Sequence, residues 1–328
     1  MTAIKLPATI LVSGASGFIA AWVVKSILQR GFSVIGTVRS TLKGEYLKNL
    51  FEREFPGKFS YVIVEDIGKE GAFDEAVKNV DAVVHTASPF HLNATDPDEY
   101  LTPAIKGTTG ILETILKYGQ NVKRVVITSS AASIIHPEPV GYVFTESDWN
   151  THDPEVVKEK RGEAPAMNMY RASKVLAERA AWEFVKTKEG IKFDLVTILP
   201  SFVFGPTIHE LSGPSSLNTS IDLFRKVAFE STNERTRLLS ANGSWVDVRN
   251  VADAHAESLV LEEAGGERFI VSVGPYSWQD FCEAYLVPKP SYSSGEKAGR
   301  VLGIKYISKK QCLSDTVTSL VQRGLIGA

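Results

Sequence analysis

Two textures alternate along the first two-thirds of the chain: short runs that are apolar almost throughout, and longer stretches in which apolar residues return every three or four positions. The apolar runs are Ile10 to Val12, Phe32 to Arg39, Tyr61 to Val64, Ala82 to Ala87, Arg124 to Ser130 and Phe193 to Leu199. Between them the spacing predicts helices over Phe18 to Gly31, Ser40 to Glu54, Ala72 to Asn79, about Asp98 to Tyr118 with a break or start near Pro103, and Met167 to about Lys186. Strands without polar alternation are buried on both faces, and strands that alternate with helices give a parallel sheet wound in both directions. From Ser201 the pattern loosens into Gly- and Pro-bearing loops, short helices and one late apolar run, Arg268 to Val273. That change divides the chain into a main unit, residues 1–200, and a smaller lobe, residues 201–328, interleaved with the end of the sheet.

The first strand carries the first chemical signal. Its apolar run stops at Ser13 and Gly14, Ser16 and Gly17 follow, and a helix opens at Phe18 and Ile19. Gly14 and Gly17 allow backbone angles and close approaches that a side chain forbids. The opening helix aims unpaired N–H groups and its positive dipole end at the turn, which suits a pyrophosphate. A strand-helix turn with no ligand has the same local pattern, but its place on the first strand of a βαβ unit is the context a dinucleotide fold requires. The fold class is therefore a Rossmann-type doubly wound α/β sheet with a smaller C-terminal substrate lobe.

Ligands of such sheets bind beyond the carboxyl ends of the strands. The residues there are Ser13 to Gly17, Arg39 and Ser40, Asp66 and Ile67, Thr86, Ala87 and Ser88, Thr128 to Ser130, and Pro200 to Val203. One dinucleotide can touch them all. The second strand ends in Arg39, with Lys43 a turn later and no acid at that point. A carboxylate there would hold an unmodified ribose, whereas Arg pairs a 2′-phosphate in bidentate fashion while stacking on adenine, so NADP(H) is the predicted cofactor. The plain alternative is a solvent-exposed surface arginine.

Tyr170 and Lys174 lie four apart on a predicted helix, and Ser130 ends the strand upstream. That spacing puts phenol and ammonium on one helical face, where the cation favours ionised tyrosine and makes it a better proton donor. An amphipathic helix with a half-buried Tyr and a snorkelling Lys would look the same in isolation. Joined to the glycine turn and the strand-end serine, the pair reads as catalytic.

On these residues the chain resembles the extended short-chain dehydrogenase/reductase family over nearly its whole length. The stretches Val12 to Ala20, Thr37 to Ser40, His85 to Phe90, Thr128 to Ser130, Tyr170 with Lys174, and Trp245 to Arg249 are similar to those of fungal NADPH-dependent aldehyde, ketone and methylglyoxal reductases and of plant dihydroflavonol and cinnamoyl-CoA reductases. The resemblance implies Ser130, Tyr170 and Lys174 as a catalytic triad. It also implies cofactor contacts from the glycine turn, Arg39, Lys43, Asp66 and Ile67, with Pro200 and Val203 near the nicotinamide. Two departures stand out. Ala104 occupies the place where the family often has an Asn that helps a proton relay, so a backbone carbonyl or a water would have to replace it. Leu286 to Glu296 is shorter than in relatives, either a trimmed lobe or an omitted loop.

Composition narrows the setting. At 328 residues and 44% hydrophobic the chain can bury a large core, and a net charge of −2 offers no general attraction to nucleic acid or an anionic membrane. No signal peptide is visible and no stretch reaches the roughly 20 apolar residues of a membrane span, which predicts a soluble, cytoplasmic protein, monomer or homodimer. Cys282 and Cys312 read as buried free thiols rather than a disulfide or metal pair, the six histidines show no ligand spacing, and no metal is expected. Asn-x-Ser/Thr triplets at Asn93, Asn218 and Asn242 read as accidents of composition.

Three functions compete. A carbonyl reductase would use Tyr170 as proton donor and line its pocket with Phe90, Ala131, Phe202 and the loop from Pro206 to Pro214; the plain alternative for Phe90 and Phe202 is ordinary core packing. The second is a sugar-nucleotide epimerase or dehydratase; a dehydratase would want an acidic pair beside the strand-end serine, where this chain has Ala131 and Ala132. A non-catalytic NADP(H) sensor commonly lacks the Tyr/Lys pair that is present here.

Overall fold

A computed structural model describes residues 3–88, 96–230, 242–278 and 291–326. Seven parallel strands form the central sheet: β1 (Thr9–Ser13), β2 (Ser33–Val38), β3 (Phe59–Ile63), β4 (Ala82–His85), β5 (Arg124–Thr128), β7 (Asp194–Pro200) and β10 (Arg268–Val271), in the order β10-β7-β5-β4-β1-β2-β3. Between β5 and β7 runs β6 (Val143–Phe144); β8 (Phe202–Phe204) and β9 (Asn242–Asp247) precede β10, and β11 (Gly274–Ser277) and β12 (Tyr292–Ser293) follow it. The order reverses between β1 and β4, so the crevice beyond their carboxyl ends is the switch point where such sheets bind ligands.

The apolar strands are explained by what covers them. On β1, Ile10 and Val12 pack into one core and Leu11 into the other. The same division recurs on β4, where Ala82 and Val84 face one side and Val83 the other, and on β7 with Val196 and Ile198 against Leu195. The first side is covered by α1 (Phe18–Gln29) and α7 (Val248–Val260), the second by α3 (Pro97–Tyr118) and α5 (Ala166–Thr187). Every side chain of such a strand is core, which is why polar alternation is missing.

Among the described residues the remaining helices are α2 (Thr41–Glu52), α4 (His152–Lys160), α6 (Thr219–Phe229), α8 (Glu296–Val301) and α9 (Lys309–Gln322). The smaller lobe holds a three-stranded sheet, β11-β9-β8, and β12 pairs with β6. The late run 268–273 belongs largely to the main sheet, with Phe269 opposite Ile198 on β7.

Three local expectations need correction. Residues 71–79 form successive turns rather than a helix. Gly71 sits at φ 75°, outside helical space, while Phe73, Ala76, Val77 and Val80 are still buried, so packing is served without helical geometry. The helix around Pro103 is unbroken from Pro97 to Tyr118. Pro103 withholds an N–H from the carbonyl of Glu99, an exposed residue that water can satisfy. Strands β4 and β5 stop at His85 and Thr128, before the polar residues that face the crevice.

Candidate active site

The glycine turn is held by its neighbours. Gly14 lies at φ 63°, and a Cβ there would stand 3.0 Å from that of Ala87. Its N–H donates to Thr37 Oγ1 at 3.0 Å. Ser13 pairs in register with His85 across the switch point, and its hydroxyl contacts His85 Nδ1 at 2.9 Å and accepts the Ala87 N–H at 3.0 Å. Thr86 donates its hydroxyl to the Ser13 carbonyl. These bonds bring Thr86, Ala87 and Ser88 against the turn. Gly17 caps α1, is exposed, and carries no side chain over the helix end, while the first turn of α1 has no acid. Phe18 is buried, 5.8 Å from the ring of His209, while Ser16 and Ile19 are half-buried at the crevice.

Arg39 and Lys43 are exposed at the end of β2 and the start of α2, and neither forms an ion pair with the described residues. Asp66 folds back to accept the Gly68 N–H at 2.8 Å, and Ile67 lies beside Gly107 of α3. The loop after β8 is tied down over α1 and α2: Trp22 Nε1 donates to the Pro206 carbonyl at 2.7 Å and the Tyr46 hydroxyl to that of Ile208 at 3.0 Å.

Ser130, Tyr170 and Lys174 come together. Ser130 caps a 3-10 turn over Ala131–Ser133, and its hydroxyl accepts the Ala132 N–H at 3.1 Å. The Tyr170 phenol lies near enough to feel that hydroxyl. Burial raises the phenol above its ordinary value; the Ser130 hydroxyl and the charge of Arg171 pull it back without cancelling the rise. Lys174 Nζ donates to Ser88 Oγ at 2.7 Å and lies 5.6 Å from the centre of the Tyr170 ring. Burial pushes the ammonium down to about 8. The expected acidification of Tyr170 by Lys174 is therefore outweighed by burial, and the cation that bears on the phenol is Arg171, its neighbour in sequence.

Other expected residues sit at the margins. Thr128 engages its hydroxyl with His255 Nε2 at 2.7 Å, which takes that group away from the crevice. Ala131 packs with Ile134, Phe144, Leu199 and Ile270, which leaves little of it to line a pocket. Phe202 is half-buried with its ring 5.2 Å from Phe204 and 6.5 Å from Tyr276, while Pro200 and Val203 are buried at the end of β7 and in β8. Ala104 is buried inside α3 at 5% exposure and brings no polar group. Phe90, Asn93, Cys282 and residues 286–290 lie outside the described residues; Cys312 is buried as a free thiol. No described helix is long and apolar enough to cross a membrane.

Two functional features escaped the sequence reading. Thr37 anchors the glycine turn from the neighbouring strand, a pairing that no local pattern signals. Glu178, 2% exposed on α5, gathers partners from three other elements. Its spacing, one helical turn beyond Lys174 on the same face, was the available signal.

The crevice fits a dinucleotide: a glycine that a Cβ would fill, a helix end left open, and cations without acids where a 2′-phosphate would lie. Known proteins agree with that geometry. Residues 10–274 match the NAD dependent epimerase/dehydratase family. The ketoreductase azaE of Aspergillus niger is 36% identical over 342 residues, covering 97% of this chain and 99% of that protein. The NADPH-dependent methylglyoxal reductase GRE2 of Saccharomyces cerevisiae is 33% identical, covering 96% and 98%. The crystal structure of Gre2 in complex with NADPH from Candida albicans matches with a TM-score of 0.84 at 36% identity, over 96% of this chain and 99% of that one. Sequence, topology and crevice thus agree from end to end, and this chain belongs to the NAD dependent epimerase/dehydratase family of extended short-chain dehydrogenases/reductases.

Proposed function

We propose that this protein reduces an aldehyde or ketone to an alcohol with NADPH, Tyr170 giving the proton, Ser130 holding the substrate oxygen and Lys174 binding the ribose beside the nicotinamide. The chain is an NADP-dependent oxidoreductase, similar across its length to reductases that act on carbonyl compounds. One observation carries the finer reading. The Lys174 ammonium lies 5.6 Å from the centre of the Tyr170 ring and donates to Ser88 in the loop against the glycine turn, while Ser130, just beyond the end of β5, bears on the same phenol.

In this reading Gly14, Ser16 and Gly17 with the first N–H groups of α1, at Phe18 and Ile19, hold the pyrophosphate, and Arg39 and Lys43 hold the 2′-phosphate. Asp66 and Ile67 flank the adenosine, Thr86 to Ser88 and Thr128 line the middle of the crevice, and Pro200 and Val203 back the nicotinamide. Once bound, the reduced nicotinamide supplies the hydride that attacks the carbonyl carbon. As charge grows on the carbonyl oxygen, Ser130 donates to it and Tyr170 transfers its proton. A phenol raised above its ordinary value stays protonated across the neutral range, as a donor must. Phe202 offers an apolar wall to the substrate. Ala104 supplies no side chain to a proton relay, so the return of a proton to Tyr170 relies on backbone or water. Ala131 and Ala132 stand where a dehydratase would need an acidic pair, which counts against that chemistry.

The test is loss of NADPH absorbance with methylglyoxal, diketones, aryl ketones and aromatic aldehydes, with NADH in parallel. Tyr170→Phe should lose about 10²- to 10⁴-fold in kcat while still binding NADPH. Turnover by that variant at the parent rate would refute the assignment of the donor.

A further inference from the structure

The proton-transfer scheme leaves one buried carboxylate beside the site without a task. Glu178 follows Lys174 by four residues and Tyr170 by eight, on the same side of α5. Its two oxygens serve largely different parts of the fold, with Arg268 Nη2 also reaching Oε2 at 3.4 Å. Oε2 accepts the Ser129 hydroxyl at 2.6 Å and the Ser133 hydroxyl at 2.5 Å. Oε1 accepts the Thr197 hydroxyl of β7 at 2.9 Å and Nε of Arg268 on β10 at 2.8 Å. Arg268 is itself fixed: its guanidinium lies 3.6 Å from the centre of the Trp149 ring, and Nη1 donates to the carbonyls of Glu146 at 2.5 Å and Asp148 at 2.9 Å.

Ser129 and Ser133 are the two feet of the turn that presents Ser130. The Ser130 carbonyl accepts the Ser133 N–H at 2.9 Å, and the Ser133 hydroxyl lies 2.8 Å from that same carbonyl. A hydroxyl has one proton, and an ionised acceptor draws it more strongly than a neutral one. One oxygen of Glu178 therefore pins both feet of the Ser130 turn to the helix that carries Tyr170. Resting on the reductase reading, we propose that Glu178 is a positioning residue that sets the Ser130–Tyr170 geometry through Ser129 and Ser133, with Arg268 as its anchor. Displacements of about 1 Å at reacting groups cost on the order of 100-fold in rate, so the pin matters for the chemistry and not only for folding.

The two oxygens supply the control. Ser129→Ala/Ser133→Ala cuts the link to the Ser130 turn and spares Arg268 and Thr197; Thr197→Val removes a partner of the other oxygen. Both leave a buried carboxylate short of donors and should lower thermal stability. The full-length protein is assayed for the single-turnover rate of NADPH oxidation at saturating methylglyoxal, and for the KM of NADPH. The expected result is a loss of about 10- to 100-fold in rate for the serine double variant with KM within about twofold of the parent, and a rate within about twofold for Thr197→Val. Glu178→Gln should resemble the serine variant. Rates that fall equally on both sides, or that follow the loss of stability, overturn the positioning role while the reductase reading stands. A parent that turns over no carbonyl compound overturns that reading, and the role of Glu178 with it.

Discussion

His255→Gln should change how the protein responds to acid. Three imidazoles, those of His85, His209 and His255, are at most 5% exposed. Burial pushes each from 6.5 down to about 4, helped at His85 by the Lys174 charge and at His209 by Arg323 and Lys43. The geometry accommodates the neutral His255 ring that burial favours. Its Nδ1 lies 2.8 Å from the Val251 carbonyl, which can only accept, so in the neutral ring Nε2 accepts the Thr128 hydroxyl at 2.7 Å. A folded value below the unfolded one means that the unfolded chain binds more protons between pH 6.5 and 4, so stability falls as pH drops through that window. Each ring accounts for ~3 kcal/mol of that loss by the bottom of the window. Together the three approach the whole stability of an ordinary domain, ~5–15 kcal/mol, which predicts steep acid unfolding. Near pH 5 each contributes on the order of 1 kcal/mol per pH unit to the slope. Gln keeps a donor and an acceptor but does not titrate. The assay is the urea midpoint at half-unit steps from pH 7.5 to 4.5. His255→Gln should start lower at pH 7.5, through imperfect bonding, and then lose about a third of the parent's dependence on pH. A variant curve parallel to the parent's would refute a neutral buried His255.

The remaining expectations concern the crevice. Arg39→Ala should raise the KM for NADPH about 10- to 100-fold, the worth of charge-assisted bonds, and leave NADH use unchanged; equal use of both cofactors by the parent would sink the assignment. Gly14→Ala must hold a side chain at φ 63° against Ala87, which costs at least about 1–2 kcal/mol and should weaken NADPH binding together with thermal stability. Unaltered affinity would mean that the turn does not hold the cofactor. Lys174→Met should abolish turnover yet raise the melting temperature at pH 7. The lysine's folded value of about 8 lies below its unfolded one, so the parent gains stability between pH 8 and 10.5, and the variant should lose that rise.

The sheet was legible because its inner strands are buried on both faces, and the site because Tyr170 and Lys174 sit at helical spacing after a glycine turn. Local pattern failed where distant contacts decided the outcome. Residues 72–79 carry a helical apolar rhythm, but they form successive turns, because burial of Phe73 and Val77 does not need a helix. The damping of Tyr170 acidity comes from burial, which no spacing reveals, and the partners of Glu178 reach from Ser129 to Arg268 along the chain. Thr37 and His255 act on the crevice from elements that only the fold brings near.

The position of β10 bears on the order in which the molecule can be assembled. A nascent chain that has emerged as far as Pro200 has made six of the seven strands of the main sheet and the whole of α5, yet the seventh strand is encoded at residues 268–271. Until then β7 is an unpaired edge, and the carboxylate of Glu178 is enclosed without its arginine, an arrangement that costs several kcal/mol. Loop closure over that distance is slow, and an exposed parallel edge invites association with other chains. A fragment ending at residue 200 should therefore aggregate rather than fold, and the same fragment joined to residues 242–326 through a short linker should recover solubility before it recovers activity.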